Sequence, residues 1–276
     1  MDYFVIDGEV LVECSVKNIV FADIPDGVTE IAANAFADCS KLTKVNLNKV
    51  TKIRDFAFAH CVSLQSVDLT NIEHLGEGVF YQCSALSSVQ FGEKLGYLPN
   101  HTFEGSGLEK IVLPENIWYI GQSCFRDCVK LASVEMNGVM EIDVAAFEGC
   151  WKLYSVQLPN SLLHIAPYAF SFCGELRTVT IRNTFMQIDE FAFENTVDLL
   201  IKAAQFSTAS RHARDANIRF APIIINECFT KCSIDYIHAL KNSGLFFQAK
   251  PCSESEIIIR YDKTQEEMVK EIIKRG

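Results

Sequence analysis

The residues best suited to chemistry are cysteines. Cys39, Cys61, Cys83, Cys128, Cys150 and Cys173 recur at intervals of 22, 22, 45, 22 and 23 residues. Thiolates at so regular a spacing invite either a metal site or a disulfide framework. A metal needs ligands that converge tetrahedrally, and a single row of stacked thiols does not converge. A disulfide needs a particular Cβ separation and dihedral, which parallel stacked side chains seldom offer. The expectation is a column of small buried hydrophobes whose weak S–H donors meet the backbone. Cys124-x-x-x-Cys128 reads the same way, because Cys124 shares the register of Ala35 and belongs to the core. Cys228-x-x-x-Cys232, with His238 and Cys252 in the same segment, has a spacing that one helical turn would support. Unpatterned thiols are the simpler account there, and no metal is expected. Eleven cysteines without an extracellular signal fit a reducing compartment.

Nothing else in the sequence assembles a reaction centre. There is no glycine-rich phosphate loop, no H-E-x-x-H, no G-x-S-x-G and no C-x-x-C. The histidines fall at unrelated positions, so no nucleophile and base are paired. No cofactor is expected. An enzyme reading would have to place its chemistry in residues 222–276, with Cys228, Cys232 or His238 converging.

What positions the cysteines is an internal repeat. Phe36, Phe58, Phe80, Phe103, Phe125, Phe147, Phe170 and Phe193 are separated by 22, 22, 23, 22, 22, 23 and 23 residues. Five residues before them stand Ile31, Ile53, Leu75, Leu98, Ile120, Ile142, Ile165 and Ile188. A small residue precedes most of them, as at Ala35, Ala57, Ala146, Ala169 and Ala192. Leu42, Leu64, Leu86, Leu108, Leu131, Leu153 and Leu176 follow, and pairs such as Val45/Leu47 and Val156/Leu158 close each unit.

The periods translate into elements. V-x-L alternation turns two apolar residues inward and makes a short half-buried strand. A-F-x-x-C buries residues three apart, which fits one helical or 3₁₀ turn. A coil this short cannot bury its own face, so stacking must supply the core. The expected result is one parallel ladder of strands beside a spine of stacked Phe rings. The fourth unit lacks a residue between Phe103 and Leu108, with Gly105 and Gly107 flanking the gap. A tightened turn is expected there rather than a domain break.

The unit I-x-x-x-A-F-x-x-C-x-x-L-x-x-V-x-L-P resembles the BspA-type leucine-rich repeat of bacterial surface antigens. The resemblance implies a binding protein or adhesin, often held at the cell surface. The expected fold class is thus an α/β solenoid, a leucine-rich repeat stack of about eight 22–23-residue coils. It is strand-rich, with short helical turns. Residues 1–27 would form an N-terminal cap, 28–221 the solenoid and 222–276 a small C-terminal α/β module. In that module a helix is expected from 226 or 233 to Lys241, strands near 245–249 and 256–261, and a final helix capped at Thr264.

Residues 1–199 carry 13 Lys and Arg against 26 Asp and Glu, whereas residues 200–276 carry 12 against 9. An acidic solenoid repels nucleic acid and anionic membrane, and no apolar run is long enough to insert in a bilayer. If Met1 is the natural start the chain should be cytoplasmic; if a leader precedes it, cell-surface or secreted.

Two surfaces are candidates for binding. The outward ladder positions include Lys44, Asp68, Gln90, Lys110, Glu135 and Gln157, which lack an aromatic anchor. The other edge carries Tyr97, Trp118, Tyr119, Met140, Leu163 and Met186, where the first three units have polar residues. An exposed apolar strip marks an interaction site. The expected function is a non-enzymatic protein-interaction scaffold, adhesin-like by resemblance. The alternatives are an intracellular self-associating scaffold and an enzyme activity in the C-terminal module.

Overall fold

Each coil is closed by amides that alternate between its own turn and the next coil. Around Phe36, the N–H groups of Ala35, Ala37 and Cys39 donate three residues back, to Ala32, Asn34 and Phe36. Those of Asn34, Phe36 and Asp38 donate instead to Asp55, Ala57 and Ala59 of the next coil, at 2.8–3.1 Å. The turns satisfy the three-residue burial spacing without continuing into a helix. The reason is backbone handedness: positions two before and two after the spine Phe are left-handed, as at Asn34, Asp38, Ser123, Asp127, Tyr168 and Phe172. A left-handed residue interrupts the i to i−4 ladder, and every second amide is turned toward the neighbouring coil.

The computed structural model describes residues 3–204, 207–223, 227–233, 247–251, 256–262 and 266–275, divided between two compact units, Met1–Ala221 and Pro222–Gly276. In the first unit the V-x-L segments pair in parallel in three runs. These are Phe21–Asp23 to Ser88–Phe91, Lys110–Leu113 with Ser133–Met136, and Ser155–Leu158 to Leu200–Ala203, whose sheet Arg219–Pro222 joins. A second ladder runs beside them, where a single ladder was expected. It is made of two-residue strands such as Glu30–Ile31, Lys52–Ile53, Tyr119–Ile120 and Glu141–Ile142. Strands of two residues show no alternation, so periodicity could not reveal them.

The first interruption of the V-x-L ladder falls at the short fourth unit, between Ser88–Phe91 and Lys110–Leu113. There Gly107 runs so close to the preceding coil that a Cβ would lie 2.3 Å from the Ser84 carbonyl oxygen. The turn has tightened, and the compact unit continues across it.

The spine is continuous from Phe36 to Phe193. Successive ring centroids lie 4.9–5.7 Å apart and successive planes within 4–14° of each other. Rings across the two ends meet it edge-on. Phe4 packs against Phe36 at 5.8 Å, and His212 packs against Phe193 at 5.8 Å. The N-terminal segment is itself a coil: Leu11 pairs in register with Ile31 and Ala22 with Val45. At the other end helix α1 (Thr208–Asp215) is capped by Ser207, whose side chain accepts from the Ser210 amide, and it buries Ala209 and Ala213.

In the second unit Glu256–Asp262 lies between Glu227–Ser233 and Phe247–Pro251 in an antiparallel sheet, and helix α2 spans Glu266–Arg275. The strand Glu227–Ser233 overturns a helix beginning at 226, so a helical-turn spacing does not apply to Cys228 and Cys232. Its sequence, Glu-Cys-Phe-Thr-Lys-Cys-Ser, has no clear apolar–polar alternation from which a strand could be read. The rest of the expected helix up to Lys241, with His238, Cys252 and Thr264, lies outside the described residues.

Candidate interaction surfaces

The apolar strip is built by backbone hydrogen bonds between coils. Trp118 N–H donates to the Gly96 carbonyl at 2.9 Å, Met140 to Trp118 at 2.7 Å and Leu163 to Met140 at 2.7 Å. Gly96, Trp118, Met140 and Leu163 therefore stand one above another on four successive coils. Gly96 has no side chain, and the Trp118 indole rests over it. Trp118 is still 48% exposed, and Tyr97, Met140 and Leu163 are exposed beside it.

Two residues of the expected strip behave otherwise. Tyr119 is half-buried, and its hydroxyl donates to Asp143 Oδ2 at 2.5 Å. Burial first, then the Asp143 carboxylate, pushes its phenol well above the usual range. Met186 is 1% exposed and belongs to the core. In earlier coils Leu95, Ile117, Val139 and Leu162 fill the inward place just before this column, and all are buried. In the last coil Phe185 at that place is only half-buried, and Met186 turns in instead. Helix α1 fixes that arrangement, since Thr208 Oγ1 donates to the Met186 carbonyl at 2.6 Å.

The outward ladder residues Lys44, Asp68, Gln90, Lys110, Glu135 and Gln157 are all exposed. Lys110 and Glu135, on adjacent strands, pair with each other at 2.8 Å. That surface is polar and partly self-neutralised, which leaves little for a ligand to gain.

A second group of exposed aromatics escaped the sequence reading. Trp151, Tyr154, Tyr168, Phe172 and Phe191 are exposed on coils six to eight. Tyr168 and Phe191 stack at 5.7 Å, and the Trp151 ring covers Gly174. The signal was available: Tyr168 and Phe191 stand two residues before a spine Phe and Phe172 two after, where the turn faces outward.

The thiol column is a structural feature. Cys61, Cys83, Cys128, Cys150 and Cys173 each donate to the carbonyl of a spine Phe in the coil before, at 3.1–3.2 Å. Ser106 and Thr196 occupy the same register where cysteine is missing. No group of three or more His, Cys, Asp or Glu converges on a metal-sized space among the described residues. Nor is any helix among them long and apolar enough to cross a membrane.

Comparison with known proteins agrees with this architecture. The model of the BspA type leucine-rich repeat region matches six copies of the repeat, over residues 5–132 and 97–211. A leucine-rich repeat protein of Eubacterium ventriosum is 26% identical, with a TM-score of 0.52 over 68% of this chain. The chain spans only 46% of that protein's length. A leucine-rich cell surface protein of Faecalibacterium prausnitzii is 20% identical (TM-score 0.43, covering 82% of this chain and 87% of that one). A leucine-rich repeat protein of Bacteroides ovatus is 18% identical (TM-score 0.42, covering 71% and 66%). No curated protein matches the chain. The matched repeats, the stacked phenylalanines and the parallel ladders describe a repeat scaffold for protein interaction, and the chain belongs to the BspA-type leucine-rich repeat family.

Proposed function

We propose that the protein binds a protein ligand on the strip formed by Tyr97, Trp118, Met140 and Leu163, and has no catalytic role of its own. The observation that carries this reading is the column of apolar side chains exposed on consecutive coils. Coils bonded as parallel strands rise by about 4.8 Å each, and one turn of an α-helix rises by about 5.4 Å. An apolar helix face laid along the strip would meet one side chain per coil over these few units. Trp118 supplies the large anchor that the polar ladder surface lacks. An adhesin-like setting at the cell surface is the finer form of the proposal and rests on the family resemblance.

The test compares the wild-type protein with Trp118→Asp and Leu163→Asp in sedimentation and in capture of binding partners. A monomeric wild type whose captured partner is lost from both variants supports the proposal. A wild-type dimer that both variants dissociate would assign the strip to self-association. Partners retained by both variants would remove the strip from the binding surface. Protease accessibility on intact cells tests the surface setting: digestion from outside supports it and protection sinks it.

A further inference from the structure

We infer that coils six and seven carry a second site, which binds an acidic sugar residue with its ring on Trp151 and its carboxylate on Arg177. The site is built on one glycine. A Cβ added to Gly174 would lie 2.7 Å from Trp151 Cζ3 and 2.8 Å from both Cε3 and Cη2. Approach along the ring edge would leave the outer two of these consecutive atoms much farther away than the middle one. Near-equal distances place Gly174 against the flat of the indole, so the ring lies face-down on the next coil. Trp151 is nevertheless 55% exposed, and the face turned away from Gly174 is the part left to solvent. In other coils the position of Trp151 holds Ser40, Val62, Ser84, Val129 and Val197, so this pairing of indole and glycine occurs at one level of the stack.

Arg177 is fixed against the same glycine. Its Nη1 donates to the Gly174 carbonyl at 3.0 Å and to the Val197 carbonyl at 2.8 Å. Among the described residues its Nε and Nη2 have no hydrogen-bond partner, and neither atom is buried. A guanidinium held by one corner offers the other two nitrogens as a fork to a carboxylate. Tyr154, well exposed on the preceding coil, stands beside it, since the Arg177 amide donates to the Tyr154 carbonyl at 2.9 Å.

The indole face and the guanidinium fork together select the ligand. An aromatic face is negative and attracts the C–H bonds of an aliphatic ring. A galacto-configured uronic acid gathers its C–H bonds on one face and carries its carboxylate at the rim. Tyr154 adds a hydroxyl to meet those of the sugar. Around the indole stand Lys130, Lys152 and Arg177 against Glu175 and Asp198, a positive balance on a solenoid that is otherwise acidic. An acidic peptide would supply the carboxylate without a rigid ring to cover the indole. Trp118 precedes the spine Phe of its coil and Trp151 follows its own, so the two surfaces lie on different parts of the coil. The two proposals therefore stand or fall separately.

The experiment is calorimetric titration of the full chain with trigalacturonic acid, with its methyl ester and with the peptide acetyl-Glu-Glu-Glu-amide. The ester keeps the rings and loses the charge. Saturable binding of the acid, about tenfold tighter than the ester and weakened by salt, is expected. Arg177→Gln should weaken the acid by about tenfold and leave the ester unchanged. Trp151→Ala should lose binding of both sugars. Gly174→Ala touches neither ligand group but lifts the indole, and it should weaken both sugars. Trp151 is an exposed side chain, so Trp151→Ala keeps the test open if Gly174→Ala fails to fold. Equal affinity for acid and ester, a peptide bound as tightly as the sugar acid, binding retained in Trp151→Ala, or no saturation up to about 10 mM sugar overturns the proposal.

Discussion

A thiol buried against a carbonyl is a poor nucleophile, and the cysteine column is made of such thiols. Burial pushes the thiols of Cys39, Cys83, Cys128 and Cys173 up to about 12 from an ordinary value of 9.0. Desolvation of the thiolate is the larger cause at every one of them, ahead of any hydrogen bond. Native protein at about pH 8 should therefore resist iodoacetamide at the column and react there only after unfolding. Rapid alkylation of the folded chain would contradict this. The same shift makes an alkaline prediction with a definite sign. The unfolded chain loses these protons near the ordinary value, while the folded chain keeps them to about 12, so stability is full below pH 9.0 and falls as pH rises beyond it. Each such thiol contributes about 1.4 kcal/mol per pH unit to that slope. Equilibrium unfolding across alkaline pH measures it, and replacing Cys128 and Cys150 by alanine should flatten the slope while lowering stability overall.

At the scale of elements, the terminal cap is sensitive to acid. His212 of helix α1 packs its ring edge-on against Phe193, and its Nε2 is buried without a hydrogen-bond partner. Burial lowers its pKa below the ordinary 6.5, and Asp215, Asp189 and Glu190 only partly oppose the shift. Below 6.5 the unfolded chain binds a proton that the folded chain resists, so the cap's contribution is full above that pH and is lost as pH falls through it. His212→Phe keeps the edge contact and removes the titration. Its unfolding should vary less than wild type's between about pH 7.5 and pH 5, and parallel profiles for the two proteins would refute the assignment. The turns before the spine tell a related story about legibility. Asn34 and Asp38 mark left-handed positions by residue type, but Phe56, Ala145 and Tyr168 adopt the same backbone with no such mark. There the neighbouring coil's carbonyls dictate the conformation.

At the scale of the whole molecule, stability is passed from coil to coil. Phe125 is fully buried between Phe103 and Phe147, at 5.5 and 5.1 Å. Phe125→Ala should cost about 3–5 kcal/mol and lower the unfolding of the stack as a whole. Phe193 has a spine neighbour on one side only, and Phe193→Ala should loosen the last coil and α1 while leaving the earlier coils protected. Amide hydrogen exchange distinguishes the two patterns, and uniform loss of protection in Phe193→Ala would count against a coil-by-coil account.

The repeat, the Phe spine, the thiol column and the V-x-L strands were legible in the sequence, because burial recurring every 22 or 23 residues leaves a residue-type imprint in every coil. The repeat also sufficed for the family. Only the tertiary structure decided the second ladder, since strands of two residues carry no periodicity. It alone showed that Met186 turns inward and that Tyr119 is tied to Asp143, because those outcomes depend on what packs against one coil.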